Sequence, residues 1–305
     1  MRISIDELKK RRDQLQDMLK CCVLCPHKCR IDRTSGQQGV CRSGVEAKVY
    51  NFMAHHGEEP VLSGEYGSGA IFFSHCHMKC VYCQNYQFSQ LGQGKEVATK
   101  RLAQMMLDLQ AMKCHNINLV SPTHFLPQIL DALLIAVDRG LIVPIVYNSG
   151  GYENTEILKL LEGVVDIYMP DMRYADNKIA KKYSNVDNYV EINQAAVLEM
   201  HRQVGLKGLI IRHLVLPNNL AGTEEIMKFI ALEVSKNVPI SLMSQYYPTY
   251  KAADYPLINR RLNSKEYQKA VDIVISSGFS NGWFQPDITD DITQKFIGTN
   301  FKSNV

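Results

Sequence analysis

Short, mainly apolar runs along this chain are separated by longer stretches in which apolar residues return every three or four positions. The runs lie at 70–73, 116–120, 142–147, 165–169, 209–216 and 240–243, most of them closed within a few residues by Ser, Asn or Pro. Such runs predict buried strands. Between them, Leu102, Met105, Met106, Leu109 and Met112 predict one helix, and Ile129, Leu130, Leu133, Leu134 and Val137 a second that stops near Gly140. Further helices are expected over 155–162, over 189–204, from Thr223 with Glu224 and Glu225 in its first turn, and over 264–277 before Gly278. Ser4-x-x-Glu7 has capping-box form and opens a first amphipathic helix carrying Leu8, Leu15, Met18 and Leu19. Trp283 falls in a short final strand or loop. The stretch 50–69, with His55-His56-Gly57-Glu58-Glu59-Pro60, reads as an irregular packed linker holding one hydrogen-bonded histidine.

Strands alternating with helices imply parallel strands joined by right-handed crossovers. About six units, short of a full eightfold barrel, predict an α/β fold of the partial (β/α)6 TIM-like kind, open enough at its side to admit a large substrate. The expected divisions are a cysteine-rich module with its helix at 1–49, the partial barrel at 50–286 and a tail at 287–305.

The cysteines change this picture most. Cys76, Cys80 and Cys83 follow the run at 70–73 directly, on the loop at a strand's carboxyl end. Soft thiolates so spaced suit an iron–sulfur cluster or zinc. Structural zinc sites and electron-carrying cubanes are normally closed by four cysteines. Three leave one iron of a cubane open to another ligand, the competing arrangement being a zinc knuckle that borrows a fourth ligand, with His75 and His77 adjacent. Upstream, Cys22, Cys25, Cys29 and Cys41 on glycine-rich loops make a four-thiolate set for zinc or a second cubane, with Cys21 able to replace Cys22.

In parallel β/α folds the carboxyl ends of strands build the site. Here those ends also carry Ser121, Thr123 and His124, then Asn148 and Ser149, then Asp171 and Arg173, and Gln245. Arg212 and His213 lie inside an otherwise apolar strand, and a buried charge there needs an acceptor.

Composition excludes more than it assigns. A net charge of +3 over 305 residues gives no basis for a nucleic-acid or anionic-membrane surface. The first ten residues lack a signal peptide's apolar core, and no window reaches membrane-spanning length, so a cytoplasmic protein is expected. In that compartment clustered cysteines mean metal rather than disulfides; of 9 cysteines only Cys114 stands apart.

The spacing C-x3-C-x-aromatic-C, with Tyr82 before the last cysteine, resembles the signature of the radical S-adenosylmethionine superfamily. Within it the chain is similar to the subgroup related to pyruvate formate-lyase activating enzyme. The segments carrying the resemblance are Cys25-Pro26-His27-Lys28-Cys29, His56-Gly57-Glu58-Glu59-Pro60, Gly67-Ser68-Gly69-Ala70-Ile71-Phe72-Phe73-Ser74, Cys83-Gln84-Asn85-Tyr86, His115-Asn116-Ile117-Asn118-Leu119-Val120, Pro122-Thr123-His124, Asp166-Ile167-Tyr168-Met169-Pro170-Asp171 and Arg212-His213-Leu214-Val215-Leu216-Pro217-Asn218. The resemblance implies a [4Fe-4S] cluster on Cys76, Cys80 and Cys83 and S-adenosylmethionine chelated at its open iron. Reductive cleavage then gives a 5′-deoxyadenosyl radical that abstracts hydrogen from a protein substrate, as an activase of a glycyl radical enzyme does. Tyr82, Asn85, Ser121, Thr123, His124, Asn148, Ser149, Asp171, Arg173 and His213 are the residues expected to bind the cofactor. Asp171-x-Arg173 stands where activases have Asp-x-Lys. Ser121-Pro122-Thr123-His124 stands where they have Gly-Gly-Glu, which implies a different cradle for the methionine ammonium. An electron donor such as flavodoxin or ferredoxin is implied, while the composition points to no nucleic-acid and no membrane partner. The alternatives are radical modification of a small molecule or another protein residue, and a non-enzymatic iron–sulfur or zinc protein.

Overall fold

The computed structural model describes residues 2–285 and residues 299 and 300. The expected tail at 287–305 therefore lies, apart from those two residues, outside the described residues. The chain forms two compact units, Met1–Met78 with Asn85–Ile167, and Lys79–Gln84 with Tyr168–Val305.

The first unit begins with α1 (Ile5–Asp17). Ser4 Oγ accepts from the Glu7 N–H at 3.2 Å, but the Glu7 carboxylate turns to Arg11 Nε at 2.8 Å, so only half of the capping box forms. Then come β1 (Ala47–His55), α2 (Pro60–Ser63), β2 (Ser68–Phe73), α3 (Tyr86–Ser89), β3 (Lys95–Val97), α4 (Thr99–Ala111), β4 (Ile117–Val120), α5 (Leu126–Asp138), β5 (Ile145–Ser149), α6 (Thr155–Lys159) and the first residue of β6 (Ile167–Pro170). The strands lie in the order β3-β1-β2-β4-β5. β2, β4 and β5 run parallel, and β1 is antiparallel to both β2 and β3.

β1 corrects the expectation of irregular chain from residue 50. Val49, Tyr50 and Phe52 favour a strand while Asn51 and Ala54 do not, and pairing with β2 holds the stretch through to His55. β5 also starts later than expected. Pro144 has no N–H to give, and the N–H groups of Ile142 and Val143 go to Gln110 Oε1 at 2.7 and 3.2 Å, leaving Ile142 exposed. α4 buries Leu102, Met105, Met106 and Leu109 as expected, while Met112 caps the helix and faces outward.

The second unit continues β6 and adds α7 (Asn177–Ser184), α8 (Tyr189–Val204), β7 (Ile211–Leu214), α9 (Thr223–Phe229), β8 (Ile240–Met243), α10 (Ser264–Ser276) and β9 (Gly282–Phe284). Parallel bridges Tyr168↔Leu209 and Asp171↔Arg212 join β6 to the chain of β7, and β7, β8 and β9 follow in parallel register. Trp283 is thus in a strand. α7 is an element the apolar spacing did not predict. It is short, and its polar ends make it: Asp176 Oδ1 accepts from the N–H groups of Lys178 and Ile179 at 2.6 and 3.0 Å, and Asn185 closes it in the left-handed conformation. The parallel strands alternating with helices are the α/β, partial TIM-like fold expected from the hydrophobic pattern.

Candidate functional site

In the first unit, β2 feeds the loop Ser74-His75-Cys76-His77-Met78. His75 adopts φ 68°, and a Cβ on Gly92 would lie 2.4 Å from its ring, so a glycine is needed where the chain passes that ring. Ser74 O accepts from His124 Nε2 at 2.9 Å, and the His124 carbonyl accepts from Arg33 Nη1 at 2.8 Å. Burial holds the His124 imidazole well below its ordinary pKa, so it serves here as a neutral donor that fixes the loop.

The ends of β4 and β5 meet in a buried polar group. Thr123 Oγ1 donates to Glu153 Oε1 at 2.9 Å, and Tyr147 OH lies 3.1 Å from both Thr123 Oγ1 and Glu153 Oε2. Ser149 also hydrogen-bonds Glu153. Burial pushes the Glu153 carboxyl up to about 7 against these hydrogen bonds, which favour the anion. His77 Nε2, beside Cys76 in sequence, donates to Tyr152 O at 2.9 Å and lies 4.0 Å from Glu153 Oε1. Ser121 takes a left-handed φ of 56° and its N–H donates to Asn148 O at 2.8 Å. Thus Ser121, Thr123, Asn148 and Ser149 are brought to the ends of adjacent strands, while Glu153 and Tyr147 join them unannounced by the motif reading. The available signal for Glu153 was its place three residues after Gly150 at a strand's end.

The cysteine-rich segment belongs to the same unit. Cys22, Cys25 and Cys41 are buried, Cys29 is half-buried and Cys21 is exposed. The Cys22 N–H donates to Ile31 O and the Arg30 N–H to Cys22 O, both at 2.9 Å. A Cβ on Gly39 would stand 2.8 Å from Cys29 Sγ, so the chain carrying Cys41 passes close to that thiol. Burial pushes the Cys25 thiol up, and the charges of Cys41, Cys29 and Cys22 add to it against a hydrogen bond from the His27 backbone. His27 Nε2 donates to the His77 carbonyl at 2.8 Å, which ties the module to the loop of Cys76. Among the described residues, no three His, Cys, Asp or Glu side chains are assembled as an ion-binding group.

In the second unit, Lys79–Gln84 is held from both sides. The N–H groups of Lys79 and Val81 donate to Ser184 O and Tyr183 O at 2.8 and 2.9 Å, and Val81 O accepts from the Lys251 N–H at 2.9 Å. Gln84 Nε2 donates to Gln245 O at 2.7 Å. Cys80 is buried, and its Sγ accepts from Arg173 Nη1 at 3.1 Å and from Ser184 Oγ at 2.9 Å. Ser184 gives its one proton to sulfur, so it accepts from Tyr174 OH at 2.7 Å, and Tyr174 in turn accepts from Tyr82 OH. Burial raises both phenols above their ordinary range, which keeps this chain of hydroxyls protonated.

Asp171, at the end of β6, is the acceptor that Arg212 required. Arg212 Nε reaches Oδ1 at 2.8 Å, while Arg173 Nε and Nη2 reach Oδ2 at 3.0 and 2.6 Å. Burial alone would raise the Asp171 carboxyl, but the two guanidinium charges and their hydrogen bonds outweigh it and hold it below the ordinary carboxylate value. His213 has both nitrogens engaged, Nδ1 with Met172 O at 2.7 Å and Nε2 with Thr223 Oγ1 at 3.0 Å, and burial lowers it to about 4. Its ring is neutral near pH 7. Ser184 and Tyr174 carried no signal in the sequence, since the helix that ends at Ser184 was itself unpredicted.

Three comparisons bear on this arrangement. Residues 70–230 match the family model of the Radical SAM superfamily. The chain is 35% identical over 267 residues to "Uncharacterized protein MJ0674" of Methanocaldococcus jannaschii, covering 85% of this chain and 75% of that protein. Among solved structures it is similar to TYW1 with a lysine-pyruvate adduct bound, at a TM-score of 0.46 and 12% identity over 76% of this chain and 82% of the other.

Proposed function

Because the chain belongs to the radical SAM superfamily, an enzyme class whose chemistry requires a [4Fe-4S] cluster, S-adenosylmethionine and an electron donor, we propose that Cys76, Cys80 and Cys83 hold that cluster and that the substrate is a protein. When bound, the cluster and S-adenosylmethionine supply the 5′-deoxyadenosyl radical that abstracts hydrogen. The surroundings of Cys80 suit such a ligand. Cys80 is a buried sulfur facing two hydrogen-bond donors, one of them cationic, which is a setting for a negatively charged metal ligand.

The chain's own residues bind, orient and exclude water. The protein part of S-adenosylmethionine recognition is assigned to the strand ends. Ser121, Thr123, Asn148 and Ser149 offer hydroxyl and amide groups, Asp171 and Arg173 a buried anion and cation, and Tyr82 and Asn85 complete the set, with buried His124 and His213 supporting it through Ser74, Met172 and Thr223. Asp171 keeps its negative charge because two arginines flank it, so an ammonium or a ribose hydroxyl would meet an ionised acceptor at neutral pH.

Glycyl radical enzyme activation is the finer reading. It is supported by the resemblance to the activase-like subgroup of segments from Cys25-Pro26-His27-Lys28-Cys29 to Arg212-His213-Leu214-Val215-Leu216-Pro217-Asn218. We assign a second metal, iron–sulfur or zinc, to Cys22, Cys25, Cys29 and Cys41. Buried Cys25 feels the charges of Cys41, Cys29 and Cys22, and a cation relieves that repulsion. The physiological reductant is assigned to the flavodoxin or ferredoxin class.

The observation that carries the reading is the C-x3-C-x2-C loop leaving β2 inside the family-matched region. The test is 5′-deoxyadenosine release by the anaerobically reconstituted protein with S-adenosylmethionine and dithionite, followed by electron paramagnetic resonance after adding a candidate glycyl radical enzyme. Release of 5′-deoxyadenosine with a glycine-centred doublet on the partner is expected. Release without any protein radical, for any partner tried, would shift the reading to a small-molecule substrate; no release would end it.

A further inference from the structure

We infer that Arg173 and Ser184 are positioning residues that set the reduction potential of the radical cluster through their two hydrogen bonds to Cys80 Sγ. The inference rests on the reading that Cys80 is a cluster ligand. The distances are 3.1 Å from Arg173 Nη1 and 2.9 Å from Ser184 Oγ, and Cys80 and Ser184 are both buried. Hydrogen bonds to ligand sulfurs and nearby charge are established levers on cluster potential. A donor facing the thiolate stabilises the reduced cluster, which carries one more negative charge, and so moves the potential upward.

The residue type at 173 fits this role better than lysine would. Asp171 Oδ2 takes Nε and Nη2 of the guanidinium, and the planar fork then leaves Nη1 for sulfur. A lysine ammonium has one nitrogen, and it cannot span carboxylate and sulfur with the same fixed geometry. The fork is itself held, since Asp171 is bound from its other side by Arg212 and the Arg173 N–H donates to Tyr189 OH at 3.0 Å. Ser184 is locked likewise by the Tyr82-Tyr174 hydroxyl chain. Two donors are thus aimed at one sulfur by separate supports. The step they tune is the entry of one electron from a low-potential iron–sulfur or flavin protein into the cluster, in which no bond is made.

The experiment is a redox titration, followed by electron paramagnetic resonance, of the reconstituted full chain without S-adenosylmethionine, comparing wild type with Arg173→Met, Arg173→Lys and Ser184→Ala. Arg173→Met is expected to cut the reduced-to-oxidised ratio at fixed potential about tenfold, a downward shift of ~59 mV for one electron. Ser184→Ala is expected to shift in the same direction by less, and Arg173→Lys to recover part of the loss. Intact four-iron clusters with unchanged potentials in both Arg173→Met and Ser184→Ala overturn the inference. Should Arg173→Met lose its cluster, Ser184→Ala decides alone. A cluster signal that still responds to S-adenosylmethionine in Cys80→Ala overturns the underlying ligand assignment instead, and is told apart by that variant's own spectrum.

Discussion

Glu153 and Asp171 are both buried carboxyls near the carboxyl ends of parallel strands, and they titrate in opposite directions. Glu153, in the first unit, is met by hydroxyls from Thr123, Tyr147 and Ser149, and burial wins: its pKa rises to about 7. Asp171, in the second, is met by two guanidinium groups, and charge wins: its pKa falls below the usual value. Neutral donors stabilise a carboxylate by hydrogen bonding alone, whereas a cation at the same range adds a direct Coulomb term that a low-dielectric surrounding magnifies. One unit therefore presents a carboxyl poised to gain or lose a proton near neutrality, and the other a permanent anion.

The largest effect that breaks this contrast is expected from Asp171→Asn. It leaves Arg173 and Arg212 without their counter-charge, and removing one partner of a buried ion pair costs about 3–5 kcal/mol. Denaturant unfolding of wild type and variant measures it; a loss below about 1 kcal/mol would mean that the arginines find other acceptors.

Glu153 sets the next effect. Its folded pKa lies above that of the unfolded chain, so between the ordinary glutamate value and about 7 the native state holds a proton that the unfolded state has released. Stability from this group is full at low pH and is lost as pH rises through about 7, by roughly 3 kcal/mol at 1.36 kcal/mol per unit. Unfolding midpoints between pH 5 and 8 should show that fall in wild type and a flatter profile in Glu153→Gln. A profile equally steep in the variant would assign the slope elsewhere.

The smallest is expected at His213, a third buried titratable group that burial keeps neutral. Thr223→Val removes the hydroxyl at 3.0 Å from Nε2 and should cost about 1 kcal/mol, with little change in pH dependence above pH 6. A cost near zero would show that a water replaces the hydroxyl.

The sequence pattern made some of this legible and not the rest, for physical reasons. β2, β4, β6 and β8 are mainly apolar and almost wholly buried, which is how parallel strands announce themselves. β1 is half-exposed and pairs antiparallel beside β2, so its residues carry no such run. The need of Arg212 for an acceptor was readable, because a charge inside an apolar strand must be paired; that Asp171 supplies it depends on the β6–β7 register. Glu153 was hidden because a carboxylate after a Gly–Gly turn looks like an ordinary loop residue until three hydroxyls from neighbouring strands close around it. Ser184 needed a helix whose apolar face is too short to show periodicity.

The central claim is that the cluster on the C-x3-C-x2-C loop has an iron open to S-adenosylmethionine. Electron paramagnetic resonance of the reduced, reconstituted chain with and without S-adenosylmethionine tests it most directly. The account predicts a changed cluster signal on adding the cofactor, and the loss of that response in Cys76→Ala, Cys80→Ala and Cys83→Ala. A four-iron signal that is identical with and without S-adenosylmethionine would contradict it.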